Sequence, residues 1–368
     1  MKKIFTLFVA VTLLILNTSA EIVNGTSGEL SFTLNTETGI LEFAGNGAMA
    51  DYADAANQPW RANLTFIKSV RFTGQPTKIG KNAFNTCVSL TSCELPSSLT
   101  SIGNRAFYGC IKLSGEFFFP SYLINIGASA FWGCSQITSV YLPASLVSIG
   151  SQAFGGCSGV TYFAVHYDNE HYVTANDVLF NKDKTILMYY PAANTRTTYT
   201  VPESVTEMGS YAFTGANNLT GITLPNGLIT IGGCAFSNCS GLQEITLPAS
   251  VATLGGAALA DCTALTKITS LATTPPTAET AFVFQNVNTE IPVYVPKDCA
   301  SVYSNAAGWS VFTNYIEFDP TSLDQINQKS PYGDSRSEEI TNQKSIKNGH
   351  LYILRDGKTY TVQGQEIK

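Results

Sequence analysis

The string His166, Asp168, Glu170 and His171 is the one place in this 368-residue sequence where potential metal ligands crowd together. Imidazole and carboxylate are ligands that zinc and related ions accept. In an extended segment alternate residues share a face, so His166, Asp168 and Glu170 would converge while His171 points away. No helix-spaced pair of ligands accompanies the string, and it reads as a solvated loop. The third histidine, His350, lies far off near the C-terminus, which leaves a serine or cysteine nucleophile few candidate bases. The sequence contains neither a GxSxG elbow nor a phosphate-binding loop. Gly45, Asn46 and Gly47 begin something like a dinucleotide fingerprint, but the third glycine is missing and the segment follows a hairpin pattern. Paired carboxylates for glycoside hydrolysis are not tied to any sequence spacing, so they stay open at this point. The expectation is a chain that is not an enzyme and has no catalytic residues, no metal and no cofactor.

Nine cysteines raise the question of disulfides or zinc, yet no pair has CxxC spacing. Six of them, Cys87, Cys110, Cys134, Cys157, Cys239 and Cys262, recur at one position of an internal repeat and would stack as a column. Stacked neighbours about 4.8 Å apart are close enough to bridge, but their side chains point in parallel rather than toward each other. Free buried thiols follow, and the odd count leaves at least one cysteine unpaired in any scheme.

The repeat itself sets the architecture. Ile79, Gly80, Ala83, Phe84, Cys87, Leu90, Leu95, Pro96 and Leu99 form a template that restarts at Ile102, Ile126, Ile149, Met208, Ile231 and Leu254. The turn after Ile102 carries one extra residue. Each unit offers a short strand with one inward face, closed by a proline that cannot donate to a ladder. The glycine after the Ile permits a tight bend, and the Ala-Phe pair suggests a short helical or 3₁₀ turn. Phe84, Phe107, Phe131, Phe154, Phe213 and Phe236 are the expected core, beside the cysteine column. One unit cannot bury enough to offset the ordering of its own backbone, so neighbouring turns must supply the rest. The fold class is a β-rich repeat solenoid of about 23 residues per turn, with capped ends and a C-terminal β-hairpin tail.

The repeated string IGxxAFxxCxxLTSVxLPxSLTS resembles the BspA-like, Treponema-type class of leucine-rich repeats over about residues 67–271. That resemblance implies a curved solenoid in a secreted or surface protein, with roles in adhesion and protein binding and no catalytic centre. The flanks are similar to those of the family: 21–78 reads as an N-terminal cap and half repeat, and 272–318 as a C-terminal cap. Within the repeats at 79–271, the interruption at 158–207 resembles the family's long variant turn, with its VLFNKDKT string and a hairpin through 177–191. It is expected to add strands without breaking the solenoid.

Residues 1–20 have the form of a secretory signal peptide: Lys2 and Lys3, an apolar run from Ile4 to Leu16, then Ala20 at the cleavage site. The run is too short to span a bilayer, and no later segment is long enough. Export follows, to the medium or to the cell surface in association with the outer membrane. Without Lys2 and Lys3 the chain carries 19 basic and 27 acidic residues, a formal charge of −8, which disfavours nucleic acid as a partner. Polar residues 319–345 read as a linker. Residues 346–368 read as a hairpin ending in GQEIK, whose close resembles the end of a type IX secretion sorting domain.

What remains for function is surface. On the strands, Phe118, Tyr141 and Tyr162 occupy outward positions in consecutive turns and form an expected row of exposed rings, a contact patch for a host or bacterial surface protein or for a glycan. A protein-binding or adhesion module is the leading reading. A glycan-binding accessory protein of the cell surface is the alternative.

Overall fold

The computed structural model describes residues 21–319 and, beyond them, the backbone of the strands Gln343–Lys347, His350–Arg355, Lys358–Thr361 and Glu366–Ile367. The expected leader at 1–20 and residues 320–342 of the expected linker lie outside the described residues.

The chain coils as a β-solenoid of about 11 turns with about 23 residues in each. Its period is visible in the strand register, where Val70 faces Cys93 and Ile79 faces Ile102. Past the interruption Met208 faces Ile231 and Ile231 faces Leu254. The extra residue after Ile102 is absorbed at an irregularity between Gly115 and Glu116, with Gly115 at φ 91°. Two strand faces run along the coil. The longer strands Ser114–Phe118, Gln136–Leu142 and Tyr162–Val165 pair in parallel on one face. The two-residue strands Ser101–Ile102, Asn125–Ile126 and Ser148–Ile149 pair on the other.

The third face differs from the expected helical turn. Just before the recurring alanine of the repeats stands a residue in the left-handed region, such as Asn82 (φ 56°), Arg105 (φ 55°), Ser129 (φ 53°) and Gln152 (φ 60°). A left-handed residue ends helical hydrogen bonding. Alternate N–H groups turn instead toward the next coil, where Phe84 N donates to Ala106 O (2.7 Å) and Phe107 N to Ala130 O (2.7 Å). All three faces are therefore laddered, and backbone groups that would otherwise be buried unpaired find partners.

The repeat glycine owes its place to crowding rather than to a special φ. A Cβ on Gly127 would sit 2.5 Å from Asn104 N and 2.6 Å from Gly103 C, because the preceding coil passes directly over it. In the core, rings stack from turn to turn: Phe84 on Phe107 (5.1 Å), Phe107 on Phe131 (5.0 Å) and Phe131 on Phe154 (5.6 Å). Phe213 and Phe236 continue the stack (5.1 Å).

Each end is closed by aromatic packing. The N-terminal strands Ile22–Ser27, Leu30–Asn35 and Ile40–Ala48 form an antiparallel meander that hands over to the parallel ladder at Ser69–Ile79. Trp60, fully buried, stacks on Phe84 and donates its indole N–H to Ala83 O. At the other end the coiling runs on past 271: Leu254 faces Ala278, Ile268 faces Val293, and Phe284 and Val287 fill the places of the core Phe and Cys. The helix Ala300–Asn305 and Trp309 then cover the last turn, with the Trp309 indole donating to Pro276 O.

The variant turn carries the expected hairpin, Val178–Asn181 against Ile186–Tyr189, and a further strand, Tyr172–Ala175. It interrupts the hydrogen-bonded ladders on both strand faces, since neither Ser148–Ile149 nor Tyr162–Val165 pairs with a ladder strand of the following half. The ring stack nevertheless crosses the break through two consecutive tyrosines. Tyr189 packs edge-on against Phe154 (5.8 Å) and Tyr190 stacks on Phe213 (4.8 Å). Buried Asn169 ties the segment down, its amide donating to Pro143 O and Leu146 O while its oxygen accepts from His171 N and Tyr172 N.

Candidate ligand-binding surface

The expected row of three exposed rings on the strand face is only partly present. Phe118 is 51% exposed, Tyr162 is half-buried and Tyr141 is 3% exposed. All three point outward, as the register pairing Phe118 with Tyr141 and Ser139 with Tyr162 requires. Tyr141 is lost to solvent because it is flanked by its neighbours: Phe118 stacks on it at 4.0 Å and 9°, and Tyr162 meets it edge-on at 5.6 Å. The two tyrosine hydroxyls contact each other, and each donates to the Glu116 carboxylate at 3.4 Å. Burial pushes the Tyr162 phenol above its usual range, and the Glu116 charge adds to the shift.

The histidine string does not converge. His166 stacks on Tyr167 and stands 3.9 Å from Asp168, while Glu170 and His171 are exposed. Among the described residues no group of three potential ligands comes together.

All nine cysteines are free. The column residues are buried, and their sulfurs do more than fill space. Cys110 Sγ donates to Phe84 O (3.1 Å), Cys134 Sγ to Phe107 O (3.2 Å) and Cys157 Sγ to Phe131 O (3.1 Å), with Cys239 and Cys262 repeating the contact. Each thiol thus reaches the turn before its own. Burial pushes the thiols of Cys87, Cys157 and Cys262 up to about 12, which makes them unreactive neutral groups.

A second aromatic feature lies on the turn face, which the sequence reading did not consider. Tyr108 and Trp132, both half-buried, directly follow the core Phe in successive repeats. Their rings lie parallel at 4.7 Å and 10°, set by the ladder spacing. The Arg105 guanidinium sits over Tyr108 at 5.6 Å, a cation–π arrangement. In the next repeat the position falls to Gly155, where a Cβ would stand 2.9 Å from Trp132 and 3.2 Å from the Tyr211 ring. Tyr211 therefore closes over the glycine and extends the row. Burial, with Cys234 beside it, pushes the Tyr211 phenol up to about 12. The signal was available in the sequence: an aromatic residue at the same repeat position twice, then a glycine.

Beside this ridge runs an open groove of about 450 Å³, lined by Asp54, Lys81, Asn85, Asn104, Arg105 and Gln152 among others. Its side chains are amides and charges, and Arg105 belongs to both features. The arrangement offers hydrogen bonds and ring surfaces on a rigid frame, with no nucleophile and base held together.

Comparison with known proteins agrees with this geometry. Three bacterial structures share the fold: a leucine-rich repeat protein from Eubacterium ventriosum at 28% identity and a TM-score of 0.66, covering 81% of this chain and 85% of that one; a leucine-rich cell surface protein from Faecalibacterium prausnitzii at 18% and 0.53, covering 84% and 99%; and the pneumococcal vaccine antigen PcpA at 19% and 0.51, covering 82% and 99%. No curated protein matches the chain. The sequence profile of the BspA type leucine-rich repeat region matches in six copies over residues 62–183 and 184–307. With that profile spanning most of a coil whose Phe and Cys columns repeat in register, the chain belongs to the BspA-type leucine-rich repeat family.

Proposed function

We propose that this protein is a non-catalytic binding module, exported to the cell surface or the medium, that holds a protein partner in adhesion to host or neighbouring cells. The observation that carries the reading is the ridge of Arg105, Tyr108, Trp132 and Tyr211 on a laddered face. Tyrosine, tryptophan and arginine are the side chains that dominate protein interfaces, because they bury large areas at low entropic cost. Here they are prealigned, so little ordering remains to be done on binding. Phe118, backed by Tyr141 and Tyr162, is the second contact ring, on the strand face. The similar protein from F. prausnitzii is a cell surface protein, which supports the location. Among the described residues no helix is long and apolar enough to cross a membrane. The C-terminal sheet, with its GQEIK close, is the candidate for sorting or anchoring.

The polar groove beside Tyr108 favours a second reading, a glycan ligand held by amides and ring faces. One experiment addresses both. The chain and its Tyr108→Ala/Trp132→Ala variant are applied to arrays of purified surface proteins and of polysaccharides. Loss of a protein signal in the variant supports the main reading, and loss of a polysaccharide signal supports the second. A bound ligand whose signal the double variant leaves unchanged removes the ridge from the account.

A further inference from the structure

Outward positions on the long-strand face are open along most of the coil. In the second half Thr200, Thr223 and Thr246 are exposed, and in the first half Ser92, Glu116 and Phe118 are exposed. Apart from Thr269, which stands beside Tyr294 near the C-terminal cap, the pattern fails at one place. On the strands Gln136–Leu142 and Tyr162–Val165 the outward residues Ser139, Tyr141 and Ala164 are all buried, at 1%, 3% and 0%. Ring neighbours cover Tyr141, and the Tyr162 side chain reaches across Ser139 to Glu116, but Ala164 has no large neighbour in its own row beyond Tyr141. Something lies over this face.

The chain itself supplies a cover. The strand Gln343–Lys347, first of the C-terminal sheet, has Cα atoms within 8 Å of those of Tyr162–Val165 and of Tyr172–Ala175 in the variant turn. It forms no ladder with them; its hydrogen-bonded partner is His350–Arg355. The approach is contact without strand pairing. The chain length allows it. From the last cap strand, Tyr315–Phe318, to Tyr162–Val165 is about six ladder spacings, roughly 30 Å. Residues 320–342 reach up to about 80 Å when extended.

We infer that the outer face of Gln136–Leu142 and Tyr162–Val165 is the docking site of this chain's own C-terminal sheet, which covers Ser139, Tyr141 and Ala164 and leaves Phe118 at its margin. The site lies where the variant turn interrupts the ladders, so the module sits against Tyr162–Val165, the strand of the long-strand face that lacks a ladder partner in the following half. The strand-face ring cluster is then available to an outside ligand only when the sheet lifts, whereas the ridge at Tyr108 and Trp132 is available throughout. This inference is independent of what the ridge binds.

Hydrogen exchange on the full chain tests it, with Ala164→Arg placing a charge under the docked sheet and Thr246→Arg as a matched change on an open outward position. Faster exchange in Gln343–Lys347 for A164R, with no change for T246R, is the expected result. Ser139→Arg, at the adjoining outward position, repeats the test if A164R also loosens its own turn, and the same acceleration is expected. Equal exchange of that strand in wild type, A164R and S139R overturns the inference. So does protection that rises with protein concentration alongside a dimer mass, since a second copy would then supply the sheet.

Discussion

Mild alkali should destabilise this protein before its lysines and tyrosines lose their protons, because the cysteine column resists ionisation. Burial raises the thiols of Cys87, Cys157 and Cys262 to about 12, and it raises Cys110, Cys134 and Cys239 well above their ordinary value of 9.0, with neighbouring thiols adding to the effect. A thiol whose proton is held more tightly in the folded state contributes stability in full below the unfolded value and loses it as pH climbs from about 9 toward about 12. At about pH 9.5 an unfolded thiol is mostly ionised, which favours unfolding by about 0.8 kcal/mol for each buried partner. Six such groups sum to about 5 kcal/mol, comparable with the whole stability of many domains. The assay is urea unfolding with a strong reductant at about pH 8 and about pH 9.5, followed by circular dichroism. A large fall in the urea midpoint is expected, and replacing the six column cysteines by alanine should flatten the pH dependence while lowering the starting stability. A midpoint that does not move between the two pH values would refute the reasoning, since it would require thiols that already ionise in the folded coil.

Further consequences follow from single contacts. Gly127→Ala drives a methyl group into the backbone of the preceding coil and should cost about 2 kcal/mol or more in urea unfolding, although the position has an ordinary φ. Phe131→Ala removes a ring that stacks on both Phe107 and Phe154, and a loss of about 3–5 kcal/mol is expected by the same measurement. Asn169→Ala strands the carbonyls of Pro143 and Leu146, so hydrogen exchange at His171 and Tyr172 should accelerate and stability should fall by about 2–4 kcal/mol. Under native conditions a thiol reagent should modify half-exposed Cys234 first and leave the buried column untouched until the coil unfolds.

The coil was legible because repetition multiplies a weak signal. One Ile-Gly or one Ala-Phe says little, but the same pair recurring at Ile102, Ile126 and Ile149 points to stacked turns, and the strand register follows the spacing. Reasons at the level of the backbone were less accessible. The repeat glycine suggests a bend from sequence, yet its role is to let the preceding coil pass close by, a contact between residues about a turn apart. The left-handed residues at Asn82, Arg105, Ser129 and Gln152 share no side-chain type, so nothing in their identity marks the conformation. The last turn was hidden for a similar reason: Val287 stands where the cysteine would be, and the packing tolerates the exchange. Alternation assigns outward strand positions, but exposure depends on what lies above them, and alternation cannot report that for Tyr141. Reading only the strands for outward residues missed Tyr108 and Trp132 on the turn face.

All of these effects require each repeat to sit one ladder step from the next, on both sides of the variant turn. Spin labels at Ile111→Cys and Thr263→Cys, in a Cys234→Ser background, measure that geometry by pulsed electron resonance. Six ladder steps separate the two sites, so a narrow distribution near roughly 30 Å is expected. A separation well under about 20 Å would mean that the two halves fold onto each other, and the open binding face would not exist.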